Sequence, residues 1–423
     1  MSLRSLLHLA SYLAIRAFLY PFSLLPYRAL HRIGLLLGSM AFSLCSKYRK
    51  RMLSNLSLAT DLALSVHQLP GIAKKSFGNL FITCLEYGKL AKEKHMEKIA
   101  YCLNPMQAQE ILSQGKGIIF FCGHQANWEV LFLEGTCHMP GVAIGQPIDN
   151  PYLYRWILSI REKFGGKIFL PKQAVKEGLR ALSKAKFLGI VGDQGMPEGG
   201  FCSPFLGRMA WTSPLPALLS YRSGCPIIVA STIRTNGAYQ ITYSDPIYPD
   251  KDRSMEEEIP RLMKQALSLL QQSILQAPEQ WLWSHNRWKQ QILGRVKKNY
   301  RQDAILVIVD PSNWADLFPH LKAFREVYPT EFLCFLLPKE APQAPLQELQ
   351  AELLVYHTLE EAMLLDYRFK LLFNFTPHRV LSRHFLKLSV FHALTLGDIQ
   401  KLAKLPPSSS FEEQLKGALL HAR

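Results

Sequence analysis

The chain has 423 residues, 48% of them hydrophobic and 19% charged, with a formal net charge of +16. That length exceeds one ordinary core and suffices for two domains, and the composition excludes a disordered chain. The charge is uneven: residues 301–423 carry 13 Lys+Arg against 14 Asp+Glu, which leaves +17 on residues 1–300 and suggests that this part meets anionic lipid, nucleic acid or an acidic protein.

Residues 5–27 are long enough to cross a bilayer, but Arg16 lies near their middle and Pro21 and Pro26 interrupt the run. An arginine at a membrane centre costs about 2.5–3.5 kcal/mol on insertion scales. The next apolar run, Ile33–Cys45, is too short to span. Arg4, Arg16, Arg28 and Arg32 punctuate both runs, and a basic cluster follows at Lys47–Arg51. This pattern predicts an interfacial or single-span anchor whose basic flank stays cytoplasmic, and no cleaved signal peptide.

Residues 53–114 are expected to be helical, with a break at Leu69–Gly71. The apolar run Gly117–Cys122 predicts a buried strand, followed by a helix and a strand at Val142–Gly145. Helices at Tyr152–Lys163 and Gln173–Ala185 lead to strands at Lys167–Leu170 and Phe187–Val191. A helix at Leu215–Ser223, strands at Pro226–Ser231 and Tyr239–Tyr243, and a helix at Met255–Gln276 complete the alternation. The expected fold is an α/β sandwich around a mainly parallel sheet. Composition shifts near Lys297–Arg301. Beyond it, strands at Ala304–Val309, Phe332–Leu337, Glu352–Tyr356 and Leu371–Phe375, with a proline-rich loop at Pro338–Pro345, predict a small βαβ, Rossmann-like accessory domain. The expected partition is residues 1–50 as anchor, 51–298 as the main domain and 299–423 as the accessory domain.

The eight cysteines contain no CxxC pair and no zinc spacing, which suits small buried hydrophobes in a reducing compartment. No Walker-A or G-x-G-x-x-G pattern occurs, and no nucleic-acid-binding signature is present. Neither a nucleotide cofactor nor a metal is expected, and nucleic acid is not expected as a partner.

The sharpest feature is Gly123–Glu129, GHQANWE, directly after the expected strand. A histidine at a strand mouth can keep one ring nitrogen available to accept a hydroxyl proton, while a carboxylate fixes the other. Glu129 is expected to fold back to His124, with Asn127 and Trp128 shaping the turn. Taken alone, an H-x4-E spacing is far more often a capping histidine followed by a surface glutamate.

GHQANWE resembles the H-x4-D/E block of glycerolipid acyltransferases, in the form found in late lipid A biosynthesis acyltransferases. Three further blocks resemble that family in order: Gln146–Gly165 (with Asp149, Asn150, Pro151, Trp156 and Arg161 in place), Gly192–Gly195 with Pro204–Gly207 and Thr212, and Trp283–Lys289. The resemblance covers roughly residues 20–295. Two positions depart from it, Gln146 where the family often has Arg, and Leu206 where it has a second Phe.

The resemblance implies a glycerolipid-acyltransferase-like sandwich at the cytoplasmic face of a bacterial inner membrane. It also implies transfer of an acyl chain from acyl carrier protein to a hydroxyl of a phosphorylated glycolipid. On this reading His124 is the base, Glu129 orients it and Arg161 faces the oxyanion. Asn127, Trp128, Asn150, Asp193, Gln194 and Arg287 are expected to contact substrate, and Cys122 is expected to be structural. Arg287 and Lys289, beside Trp281, Trp283 and Trp288, are expected at phosphates or as interfacial anchors. Rival expectations are acylation of another glycolipid or a lysophospholipid, and an inactive membrane scaffold. Ser312–Leu337 and Leu371–Leu386 resemble the first half of heptosyltransferase-like glycosyltransferases, which implies an interaction domain or a vestige.

Overall fold

The computed structural model describes residues 2–291, 294–341, 348–406 and 408–421. The expected proline-rich loop at Pro338–Pro345 lies partly outside them. The chain groups into two compact units interleaved along the sequence: one comprises Met1–Leu44, Lys74–Gln194 and Thr212–Leu282, the other Cys45–Ala73, Gly195–Trp211 and Trp283–Arg423.

The first unit opens with helices α1 (Leu3–Phe22) and α2 (Tyr27–Leu44). Pro21 sits in the last turn of α1, so the helix stops there. After α3 (Ser46–Leu58) comes α4 (Leu69–Leu90). The expected break at Leu69–Gly71 is instead the start of α4, because proline lacks the N–H that a first helical turn leaves unbonded anyway. Helix α2 packs on α4 through small residues. A Cβ on Gly38 would come within 2.3 Å of Gly78, and one on Gly34 within 2.5 Å of Ile82. The remaining faces of α1 and α2 leave Leu7, Leu13, Phe18, Leu36 and Met40 exposed. Among the described residues, no single helix is long and apolar enough to cross a membrane.

The stretch 53–114, expected to be helical, is broken by the strand β1 (Ala100–Cys102), and from α5 (Met106–Ser113) the alternation runs as anticipated through β2 (Ile118–Cys122), α6 (Trp128–His138), β3 (Gly141–Ile144), α7 (Pro151–Arg161), β4 (Lys167–Phe169), α8 (Ala174–Leu182) and β5 (Phe187–Val191). After the hairpin β6 (Phe201–Phe205) and β7 (Arg208–Thr212), which up to Trp211 belongs to the second unit, come α9 (Leu215–Ser223), β8 (Ile227–Thr235), β9 (Ala238–Tyr243) and α10 (Met255–Gln276). Seven strands form one sheet in the order β1-β9-β8-β2-β5-β3-β4, parallel except where β8 meets β9. Both faces are covered, as continuous apolar strands require. Phe187 in β5 lies against Gly135 of α6, while its neighbour Leu188 lies against Gly178 of α8.

The second unit carries a five-stranded, wholly parallel sheet of β10 (Ala304–Val309), β11 (Phe332–Pro338), β12 (Glu352–Tyr356), β13 (Leu371–Phe375) and β14 (His392–Leu394). Its order is β12-β11-β10-β13-β14. Alternate residues of β10 enter two separate cores, Ile305, Val307 and Val309 in one and Leu306 and Ile308 in the other.

Candidate active site

Strand β2 is buried along its whole length and delivers Gly123 and His124 at its carboxyl end. Its neighbour β5 runs parallel, with Cys122 opposite Val191. The same register sets His124 opposite Asp193. Gly123 is needed for this approach, since a Cβ there would lie 2.9 Å from an Asp193 carboxylate oxygen. Asp193 grips His124 twice. Its Oδ2 accepts from the His124 backbone N–H at 2.7 Å, and its Oδ1 lies 2.6 Å from the ring Nδ1. Trp281 Nε1 also donates to Oδ2 at 2.7 Å, and Leu282 N–H donates to the His124 carbonyl. An ionised carboxylate on Nδ1 requires the proton there, which leaves the basic lone pair on Nε2. The imidazole keeps 14% side-chain exposure, whereas the Asp193 side chain has none.

Glu129 is not the carboxylate on His124, contrary to expectation. It starts α6, and the helix carries its side chain to Arg161 at the end of α7. Arg161 forks onto both oxygens, Nε to Oε2 at 2.7 Å and Nη2 to Oε1 at 2.6 Å. The Tyr87 hydroxyl (2.7 Å) and Trp128 Nε1 (3.0 Å) donate to Oε1 as well. Burial pulls the guanidinium pKa of Arg161 down, but Glu129 outweighs it and the net shift is upward. Burial, then the Glu129 charge, pushes the Tyr87 phenol well above its ordinary value. The two pairs are linked by Trp128, whose ring meets that of His124 edge-on at 4.7 Å.

The turn between them is held by residues that the sequence did not single out. Asn79, Thr83 and Glu86, spaced along one buried face of α4, all reach it. Asn79 Nδ2 and Thr83 Oγ1 donate to the Ala126 carbonyl at 3.0 and 3.1 Å, and Asn127 Nδ2 donates to Glu86 Oε2 at 2.6 Å. Glu86 also meets His31 Nε2 and the Tyr239 hydroxyl, both at 2.6 Å. This support matters because Ala126 has a φ of 48°, a left-handed conformation that costs a residue with a Cβ about 1–3 kcal/mol. Only the helical spacing of Asn79, Thr83 and Glu86 along one face of α4 hinted at it.

Other expected contacts fall elsewhere. Asn127 is fully buried, and its Oδ1 caps α6 by accepting from Glu129 N–H. Asn150 caps α7, its Nδ2 donating to the His8 carbonyl and Ser11 Oγ in α1, so its amide serves the fold. Gln194 is exposed beside Asp193. Trp281 is buried. In the second unit Arg287 is buried, donating to the Trp211 carbonyl with its guanidinium over the Phe205 ring, and Trp283 and Trp288 are buried with it. These tryptophans are core residues rather than interfacial anchors. Cys122 is fully buried, and burial followed by the Asp193 charge raises its thiol pKa strongly, which leaves no thiolate to act as a nucleophile. A narrow apolar cavity in the first unit is lined by Trp128, Leu131, Phe132, Phe187, Val191 and Tyr243, among others.

The model of the bacterial lipid A biosynthesis acyltransferase family matches residues 2–290. The lipid A biosynthesis lauroyltransferase of Escherichia coli (strain K12) is 22% identical over 271 residues, 63% of this chain and 87% of that protein. The lipid A biosynthesis acyltransferase of Haemophilus influenzae is 24% identical over 276 residues, 63% of this chain and 83% of its own length. The strand-end histidine with its buried carboxylate sits inside the matched segment, and the chain belongs to the bacterial lipid A biosynthesis acyltransferase family, as an acyltransferase enzyme.

Proposed function

We propose that this acyltransferase moves a fatty acyl chain from an acyl carrier protein thioester to a hydroxyl of a phosphorylated lipid A precursor, with His124 as general base. Nε2 of His124 takes the hydroxyl proton as that oxygen attacks the thioester carbonyl. Collapse of the tetrahedral intermediate forms the ester and breaks the C–S bond, and the imidazolium returns its proton to the leaving thiolate. Asp193 holds the tautomer and balances the imidazolium charge. Arg161, its charge secured by Glu129, stabilises the oxyanion. Glu129 therefore acts through Arg161 rather than on His124. The Trp128-lined apolar cavity receives the start of the acyl chain. No covalent acyl-enzyme is needed.

The single observation that carries this reading is the two-point grip of Asp193 on His124 at a strand mouth. The +17 charge of residues 1–300 supports an acidic carrier protein and an anionic acceptor. The exposed apolar residues of α1 and α2 support work at a membrane surface, the cytoplasmic face of the inner membrane being the site proposed. The C-terminal sheet is proposed as a Rossmann-like interaction domain, its 3-2-1-4-5 strand order being the support.

The test is mass spectrometry of lipid A from cells with and without the protein, paired with His124→Ala. Wild type should add one acyl mass, and His124→Ala should lower turnover by roughly 10²-fold or more. An unchanged lipid A profile would remove the substrate, and undiminished transfer by the variant would remove the mechanism.

A further inference from the structure

A second feature of the first unit lies outside the catalytic residues. Helices α1 and α7 and the end of α4 enclose an open groove of about 600 Å³ into which two cations project, Arg16 and Lys92. Neither has a carboxylate partner among the described residues. The Arg16 guanidinium lies 4.8 Å over the Trp156 ring, and its Nη1 donates to the Tyr12 hydroxyl at 2.8 Å. Lys92 Nζ stands 4.3 Å over the Tyr20 ring and donates to Ser23 Oγ at 2.8 Å. Glu93, next in sequence, turns its carboxylate back onto the backbone N–H groups of Lys94 and His95. No acidic residue lines the groove, so both charges are held in place by aromatic rings and hydroxyls and remain uncompensated.

The surroundings decide between anions. Leu13, Ala17 and Ile160 form part of the groove wall, and α1 and the turn after it present Leu13, Phe18, Tyr20 and Leu24, which are 55–66% exposed. A free inorganic anion uses the cations and leaves this apolar surface in water. A phosphate carried on acyl chains satisfies both, with charge on Arg16 and Lys92 and hydrocarbon along α1. The groove also abuts the reacting centre. Trp156 packs on Tyr87, whose hydroxyl donates to Glu129, and Ile160 precedes Arg161.

We infer that this groove is a binding site for the phosphate of an anionic lipid, engaged through Arg16 and Lys92. The inference deepens the membrane-surface reading above by naming the residues and the headgroup chemistry.

The experiment is flotation of the purified full-length protein with phosphatidylcholine vesicles, with and without phosphatidic acid. Wild type should bind the acidic vesicles more tightly. Arg16→Gln/Lys92→Gln should lose most of that gain, about fivefold per cation and about thirtyfold together, with an unchanged melting temperature. Lys172→Gln/Lys184→Gln removes the same charge from exposed positions elsewhere and should keep wild-type binding. Equal losses in both double variants would overturn the site, as would full displacement by inorganic phosphate alone. If wild type binds both vesicle types and the groove variant behaves identically, the groove fails while the membrane reading stands. If wild type binds neither, the membrane reading falls with it.

Discussion

Two pairs of a basic side chain and a carboxylate occupy opposite ends of parallel strands. His124 and Asp193 follow β2 and β5 at their carboxyl ends. Lys370 and Asp303 precede β13 and β10 at their amino ends, in the second unit. Lys370 Nζ donates to Asp303 Oδ2 at 3.1 Å, to Asn286 Oδ1 at 2.6 Å and to Asn55 Oδ1 at 3.3 Å. Asp303 also accepts from Asn286 Nδ2 and the Gln290 backbone. This cluster is sealed, with side-chain exposures of 2% and 4%. Burial holds the Lys370 pKa below the ordinary lysine value despite Asp303. At the carboxyl end the partner is an imidazole that keeps 14% side-chain exposure, and its neighbour Trp128 lines an apolar cavity. Burying a charge pair therefore does not mark a catalytic site. A basic member that keeps part of its surface open at the carboxyl end of a parallel strand does.

Substitutions should separate the two clusters cleanly. The largest effect belongs to His124→Ala, with turnover down roughly 10²–10⁴-fold and the melting temperature nearly unchanged. Loss of folding rather than turnover would make His124 another structural ion. Lys370→Met should do the reverse. An unpaired buried carboxylate costs about 3–5 kcal/mol in chemical denaturation, while turnover per folded molecule is retained. Lys370→Met combined with Asp303→Leu should recover much of that stability, and no recovery would show that the pair was not the source of the cost. Glu129→Gln falls between: it removes the charge that secures Arg161 and should lower kcat by roughly 10-fold to 10²-fold with little change in KM. The smallest effect belongs to Thr83→Val, which deletes one donor to the Ala126 carbonyl. It should cost about 1 kcal/mol of stability and a few-fold in kcat, with Thr83→Ser restoring both.

The two central strands of the first sheet were legible as short apolar runs closed by glycine, Gly117–Gly123 and Phe187–Gly192. The short edge strands Ala100–Cys102 and His392–Leu394 were missed, since each has only three residues and no long apolar run to mark it. His124 was legible from its place after a buried strand. Its partner was not, because Glu129 is near in sequence while Asp193 is near only through sheet register. The clue lay in two strands that end alike, Cys122-Gly123-His124 and Val191-Gly192-Asp193. If those strands pair in parallel, the histidine and the aspartate must face each other. The tryptophans of Trp281–Trp288 misled for a related reason: aromatic residues beside basic ones look interfacial until Arg287 is found buried against Phe205.

The claim beneath all of this is that Asp193 keeps the His124 proton on Nδ1 and the basic lone pair on Nε2. Nitrogen-edited proton NMR of histidine-labelled protein measures it directly. The account predicts a strongly downfield Nδ1–H resonance that disappears in Asp193→Asn and His124→Ala and survives Glu129→Gln. A resonance that survives Asp193→Asn and vanishes in Glu129→Gln would contradict it.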